Sequence, residues 1–117
     1  MCVKTDTVRN WPVRDSPTQR SLALLRREGY DPWIVERRIT PIILRDLWGF
    51  VDLLCVHRES GALLAVQTTD GTSVSKRLAK SRDAIMDQPW LRKTPIRFEV
   101  HGWRKLKTGW NCRREEI

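Results

Sequence analysis

The sequence predicts a mixed α/β (α+β) domain in which helices flank a central mixed sheet, and three observations point to it. Two amphipathic segments begin with helix-capping residues, two strongly apolar segments lie on either side of a short turn, and a later segment alternates apolar and polar residues. The predicted order is helix, strand, strand, strand, helix, strand, with a further edge strand at 110–114. This alternation favours a sheet covered by helices.

The first helix is predicted over residues 17–28. Ser16 can cap its start, Pro17 suits the first helical position, and Gln19 completes a capping box. Gly29 then provides a natural helix end.

Three strands follow. The first is predicted over 33–38, and the next two, over 50–56 and 62–68, are separated by a turn at 58–61. Two apolar strands joined by so short a turn predict a β-hairpin. Because both strands are apolar on both faces, we expect the sheet to be covered on both sides.

The second helix is predicted over 73–87, and Pro89 ends it. Val74, Leu78 and Ile85 fall on one narrow stripe of this helix. A half-exposed strand is predicted over 96–101, because apolar and polar residues alternate there.

The length of 117 residues fits one domain, predicted over 16–117, preceded by an N-terminal arm over 1–15. No stretch approaches the roughly 20 apolar residues of a membrane span, so no membrane partner is expected. Three cysteines without a CxxC pair, and only two histidines, provide no zinc spacing. The free thiols indicate a reducing compartment, and we expect a cytoplasmic protein.

The chain is strongly basic, with 22 Lys and Arg against 14 Asp and Glu and a net charge of +8. Such a domain attracts polyanions, and nucleic acid is the expected partner. The alternative is that the charge only keeps the domain soluble. Six Trp residues are many for this length, and we expect most of them in the core.

Asp52 is the first candidate functional residue, because a carboxylate within an apolar strand is costly to bury unless it is paired or binds a cation. An antiparallel hairpin centred on 58–61 places Asp52 opposite Gln67. One carboxylate and one amide oxygen can hold a hard cation such as magnesium. Alternatively, the two side chains only bond each other or cap a loop.

The run from Gly49 to Leu54, followed after a short turn by residues 65–69, resembles the core of the PD-(D/E)XK nucleases. It is most similar to the phage and archaeal Holliday-junction-resolvase-like branch, and the resemblance covers about 17–105. It implies an αβββαβ restriction-endonuclease-like core, a Mg²⁺ or Mn²⁺ cofactor, and the cytoplasm of a bacterial or phage-infected cell.

The resemblance also implies roles for individual residues. Asp52 takes the place of the metal-binding Asp, and Gln67 stands at the acidic position of the next motif. Thr68 would offer its backbone carbonyl to the metal. Glu36, or with less support Glu28, would be the additional acidic ligand.

One position departs from the family pattern, because Thr69 stands where the family has the Lys that polarises the attacking water. In some relatives this Lys has moved to the following helix. Here Arg77 and Lys80 on that helix are the candidates for its catalytic role, beside Lys76. The alternative is an ordinary solvated helix face.

The function predicted from these residues is that of a Mg²⁺-dependent DNA endonuclease or resolvase acting on duplex or branched DNA. The alternatives are a catalytically inactive, nuclease-like protein that binds nucleic acid, and a phage protein that binds a host protein. A homodimer is left open. The residues predicted to contact nucleic acid are Lys76, Arg77, Lys80, Arg104 and Lys105.

Overall fold

The computed structural model of the protein describes residues 16–38, 40–41 and 44–117. Two α-helices flank a five-stranded mixed sheet, as the sequence predicts. The elements are α1 (Pro17–Arg27), β1 (Tyr30–Ile34), β2 (Arg37–Arg38), β3 (Leu44–Arg45), β4 (Leu53–His57), β5 (Leu63–Asp70), α2 (Val74–Asp87), a 3₁₀ helix (Pro89–Lys93), β6 (Arg97–Leu106) and β7 (Gly109–Glu116).

The main sheet has the strand order β1-β4-β5-β6-β7. Strands β1, β4 and β5 form an antiparallel meander, whereas β5 and β6 are parallel because α2 carries the chain back between them. Strand β7 returns antiparallel along β6. Strands β2 and β3 form a separate two-stranded sheet.

The first helix forms for the reasons its sequence indicates. The Ser16 hydroxyl oxygen accepts a hydrogen bond from the Gln19 N–H at 3.2 Å, which satisfies one of the free N–H groups of the first turn. Gly29 follows the last turn with φ 96°, a left-handed conformation that a residue with a Cβ rarely adopts. The helix therefore ends as predicted.

The hairpin of β4 and β5 has the predicted register, in which Leu53 pairs with Val66 and Leu54 with Ala65. The ladder continues one step further, because the Asp52 N–H donates to the Val66 carbonyl at 2.9 Å. Asp52 thus lies across from Gln67, where the sequence placed it.

The predicted bounds of the first two strands are wrong. The first strand runs over Tyr30–Ile34 and not 33–38, because Arg37–Arg38 pairs with β3 in the second sheet. The second strand begins at Leu53 and not at residue 50, because Gly49 lies in a turn with φ 83°.

The last two strands are longer than predicted. The strand expected over 96–101 runs over Arg97–Leu106, and the one expected over 110–114 runs over Gly109–Glu116. Each extends because the other supplies its hydrogen-bonding partner over eight residue pairs, from Glu99 with Glu116 to Leu106 with Gly109.

Each face of the sheet carries its own apolar core, as expected for a sheet covered on both sides. On one face, Leu22 and Leu25 of α1 pack on the sheet, and on the other, Ile85 of α2 packs with Phe50 and Phe98. The sheet residues in the α1 core are Leu53, Cys55, Leu64 and Val66.

The expectation that most Trp residues lie in the core is wrong for the described part of the chain. Trp103 is buried, whereas Trp33, Trp90 and Trp110 are 66%, 57% and 39% exposed. The predicted arm over 1–15 lies outside the described residues. Among the described helices, none is long and apolar enough to cross a membrane.

Helix α2 lies close to the sheet at Gly102. A Cβ on Gly102 would overlap Val74 Cγ2, at the first turn of the helix. Only glycine allows this contact, so Gly102 determines how near the start of α2 lies to β6.

We expect Gly102→Ala to destabilise the protein by about 1 to 3 kcal/mol, because the added methyl group overlaps the Val74 side chain and the helix must move. Urea denaturation measures the change in the free energy of unfolding. The double variant Gly102→Ala/Val74→Ala should recover part of the loss. Wild-type stability of Gly102→Ala alone would contradict the close approach.

A buried hydrogen-bond network joins α1 to β6 and β7. The Trp103 indole N–H donates to the Ser21 Oγ at 2.9 Å, and Ser21 Oγ lies 3.0 Å from His101 Nδ1. The other ring nitrogen, Nε2, lies 3.1 Å from Glu99 Oε1, which also accepts from Arg114 Nη2 at 2.9 Å. An ionised Glu99 carboxylate only accepts, so His101 Nε2–H donates to it, and Nδ1 of the neutral ring then accepts from the Ser21 hydroxyl.

This network shifts the pKa values of its members. Burial alone would raise the pKa of Glu99, but the His101 hydrogen bond and the Arg114 charge lower it to about 2. Burial lowers the pKa of His101, which the Glu99 hydrogen bond only partly opposes. His101 is therefore neutral and Glu99 ionised at neutral pH.

We expect the stability of the fold to fall in acid by roughly 2 kcal/mol between pH 6 and pH 3 through Glu99 alone. Its lowered pKa stabilises the folded state above about pH 4.5, and this contribution disappears as the pH falls toward 2. The lowered pKa of His101 acts in the same direction.

Urea denaturation across this pH range tests the expectation. Glu99→Gln should be less stable than wild type at pH 6 and show a flatter acid slope. Glu115→Gln is the matched control, because Glu115 forms a more exposed ion pair with Arg113 on the edge strand. Equal acid slopes in wild type and Glu99→Gln would contradict the assignment.

Candidate metal centre

A pocket of about 280 Å³ lies at one end of the main sheet, where β4 begins and β5 nears its end. Both helices contribute residues near their N-terminal ends to it. The lining consists of Pro17, Thr18, Glu36, Asp46, Asp52, Gln67, Thr68 and Arg77.

Each acidic side chain arrives from a different segment. Asp52 directly precedes β4, Glu36 lies between β1 and β2, and Asp46 follows β3. One carboxylate oxygen from each of the three lies within 4.8 Å of the others. Asp52 is buried, and Glu36 and Asp46 are half-buried. Three converging carboxylates are ligands that a hard divalent cation such as Mg²⁺ prefers, so this cluster could bind a metal ion.

The Asp52 carboxylate is held by Thr68. Its Oδ2 accepts the Thr68 N–H at 2.8 Å and the Thr68 hydroxyl at 3.2 Å. The Thr18 hydroxyl lies 2.9 Å from the Thr68 hydroxyl and, since the latter donates to Asp52, acts as the donor. These bonds fix one oxygen of Asp52, and its carboxylate faces the pocket.

The pKa of Asp52 is strongly raised. Burial makes the largest contribution, the Thr68 N–H bond opposes it, and the nearby Asp46 and Glu36 carboxylates add to it, so that the pKa reaches about 7. Like charges this close disfavour ionisation unless a cation separates them. A divalent cation bound between these carboxylates would favour their ionised forms.

Gln67 lines the pocket from the α2 side of the sheet. Its Oε1 accepts a hydrogen bond from the Ser81 hydroxyl of α2 at 2.9 Å. A carbonyl oxygen has two lone pairs, so one acceptor position is left for a second partner. The bond holds the amide between α2 and the pocket, next to Asp52.

The two candidates for the role of the missing Lys, Arg77 and Lys80, have different positions relative to the pocket. Arg77 lines the pocket, and it begins the second turn of α2 with its N–H bonded to the Ser73 carbonyl at 2.9 Å. Lys80 is exposed one turn further along α2 and is not among the pocket residues. Thr69, at the position of the family Lys, is buried in the sheet.

The structure therefore brings together most of the predicted site and leaves the rest outside it. Asp52, Gln67, Thr68, Glu36 and Arg77 share the pocket. The alternative ligand Glu28 instead forms an ion pair with Arg114, at 2.6 Å. The other predicted residues, Lys76, Lys80, Arg104 and Lys105, are exposed and do not line it.

Sequence reasoning missed Asp46. It lies just after β3, in a segment from 41 to 49 where an interrupting proline obscures the periodicity. The available signal was the same as for Asp52, namely a carboxylate among apolar residues. The turn that brings it to the pocket, with the Gly49 N–H bonded to the Asp46 carbonyl at 3.0 Å, has no simple sequence signature.

Comparison of the chain with protein-family models, with curated proteins and with solved structures finds no match.

We expect Asp52→Asn to stabilise the metal-free protein at pH 8 by about 1 to 3 kcal/mol, because it removes a buried charge beside two other carboxylates. The raised pKa of about 7 means that wild-type stability falls as the pH rises through the range below 7 and then levels. The amide that replaces the carboxylate cannot ionise, so the variant should lack this fall.

Thermal unfolding in EDTA from pH 5 to pH 8 measures the effect. Asp83→Asn is the control, because Asp83 is an exposed carboxylate on α2. A lower melting temperature of Asp52→Asn at pH 8 would contradict the charge assignment.

Proposed function

We propose that this protein is a metal-dependent DNA endonuclease or resolvase of the PD-(D/E)XK type, active with Mg²⁺ or Mn²⁺. The observation that carries the proposal is the convergence of the Asp52, Asp46 and Glu36 carboxylates with the Arg77 cation in one pocket. The helix, three-strand, helix, strand order of the main sheet and the Asp52–Gln67 register support it.

The carboxylates of Asp52, Asp46 and Glu36 would hold the ion. A divalent cation in such a centre lowers the pKa of a bound water and neutralises charge on a phosphodiester. The residues of the chain then have separate tasks. Thr68 and Thr18 fix the orientation of Asp52, while the two half-buried carboxylates are accessible from the pocket.

The family has a catalytic Lys at the position of Thr69, and Arg77 would take over the role of that Lys. A guanidinium remains charged at any working pH, so Arg77 would stabilise the charge that develops on the phosphate and would not act as a base. Its fork of N–H groups also suits bidentate contact with a phosphate. Arg77 is therefore the proposed catalytic cation, and Lys80 is an exposed surface residue.

The remaining cations of α2 support nucleic acid as the substrate. Lys76 and Lys80 are exposed on the helix that carries Arg77, and the chain has a net charge of +8. A phosphodiester bound at the pocket would have neighbouring phosphates within reach of these side chains. Such contacts add affinity without sequence preference.

A second candidate function is that of a nucleic-acid-binding protein that does not cleave. Two observations favour it, since Gln67 stands where a carboxylate would strengthen the metal centre and Thr69 stands where the Lys would be. Binding in this case would persist without metal.

Incubation of supercoiled plasmid and of a four-way DNA junction with Mg²⁺, Mn²⁺ or EDTA separates the two functions. We expect metal-dependent nicking or resolution, reduced at least about 100-fold in Asp52→Asn and about 100-fold in Arg77→Ala, since each removes a group that acts on the reacting phosphate. Lys80→Ala is the matched control, a cation one turn away, and should change the rate only a few-fold.

Full activity of Asp52→Asn would refute the metal centre, and equal losses in Arg77→Ala and Lys80→Ala would refute the role of Arg77. Salt-dependent DNA binding with no cleavage in either metal would establish the second function.

A further inference from the structure

The hairpin of β6 and β7 extends beyond the rest of the main sheet. The last pair between β5 and β6 joins Asp70 to Trp103. Among the described residues, 104–111 pair only with one another, from Arg104 with Asn111 to Leu106 with Gly109. We call this two-stranded segment, residues 104–111, the ribbon.

The ribbon is basic. Residues 104–111 contain Arg104, Lys105 and Lys107 and no acidic residue. Within the described part of the chain none of these three forms an ion pair. By contrast, Arg113 and Arg114 at the base of the same hairpin pair with Glu115 and with Glu28 and Glu99. All three cations of the ribbon are exposed.

The ribbon leaves the sheet at the end where the candidate metal centre lies. Strands β5 and β6 are parallel, and Thr68 of the pocket is level with His101. The tip of the ribbon lies five residues further along β6, which corresponds to about 17 Å. A polyanion bound along the ribbon would therefore continue toward the pocket.

Trp110 fixes the ribbon to α1. The Arg20 guanidinium lies 3.3 Å from the centre of the Trp110 ring, and Arg20 itself is buried in the first turns of α1. The same part of α1 supplies Pro17 and Thr18 to the pocket. One face of the Trp110 ring is thus covered by Arg20, so the ring supports the ribbon and is poorly placed to stack between bases.

From these observations we infer that the ribbon is a DNA-binding arm that enters the major groove of duplex DNA. A two-stranded ribbon fits this groove, which is about 12 Å wide, and exposed cations on the ribbon would face the phosphates of both walls. At about 3.4 Å per base pair, the tip would lie about five base pairs from the pocket. The link to cleavage rests on the proposed function, whereas the binding itself does not.

Fluorescence anisotropy in EDTA, with a 25-base-pair duplex and the matching single strand, tests the binding. We expect Lys105→Ala/Lys107→Ala to weaken duplex binding about ten-fold at 100 mM salt. It should also flatten the slope of log affinity against log salt by about two units, since each phosphate contact contributes about 0.9. Far-UV circular dichroism verifies that the exposed substitutions leave the fold intact.

The matched control is Arg58→Ala/Lys93→Ala, which removes two exposed cations from the opposite end of the sheet. It should leave the slope within about half a unit of wild type. Equal losses in the two double variants, or a ribbon variant that binds duplex like wild type, would overturn the inference. A loss confined to the single strand would overturn the assignment to duplex DNA.

Dimethyl sulfate footprinting on the duplex examines the groove directly, because the reagent modifies guanine N7 in the major groove. We expect protection of N7 by the wild type and loss of that protection in Lys105→Ala/Lys107→Ala. Binding without N7 protection would overturn groove entry. Both assays use metal-free protein. The absence of nuclease activity would therefore refute the proposed function, whereas binding of DNA by the ribbon would still be tested by these two assays.

Discussion

The register between β4 and β5 is the constraint on which the rest of the structure depends. A two-residue alternation places Leu53, Leu64 and Val66 under α1 and leaves Ala65 and Gln67 under α2. The same register ends the ladder at Asp52, whose Oδ2 then meets the Thr68 N–H at 2.8 Å. A slip of one residue would exchange the faces of a strand and remove Asp52 from this donor. Core and candidate site therefore depend on a single pairing.

Two buried carboxylates in this domain have pKa values that are shifted in opposite directions. Glu99 meets Arg114 and His101, and its pKa falls to about 2. Asp52 meets Asp46 and Glu36, and its pKa rises to about 7, with burial as the largest cause. The first arrangement places the acid beside groups that favour its charged form, whereas the second places it beside two other acids. A buried acid left beside other acids, in a pocket open to solvent, is typical of a functional centre.

The sequence predicted those features of the structure whose determinants lie within one segment or one turn. Helix α1 was predicted from a cap and a glycine within its own segment, and the hairpin register followed from one turn. Prediction failed where the result depends on a partner segment or a turn that the residue pattern of the segment itself does not reveal. The full length of β6 depends on β7, and the Asp46 carboxylate reaches the pocket only through the turn after β3. Both Arg77 and Lys80 fit the pattern of a displaced cation, and only the position of α2 on the sheet determines that Arg77 lines the pocket and Lys80 does not.

The start of α1 connects the three polar features of the domain. Thr18 reaches the candidate metal centre, Arg20 covers Trp110 on the ribbon, and Ser21 joins the buried network through His101 and Trp103. These side chains lie within about one helical turn, so a shift of the helix would disturb all three together. Sites that act on a ligand need supports that keep their geometry within about 0.5 Å, and rigid elements provide this better than loops. The network under α1 has this role here, because Ser21 and His101 are fully buried and their hydrogen bonds leave the helix little freedom to move.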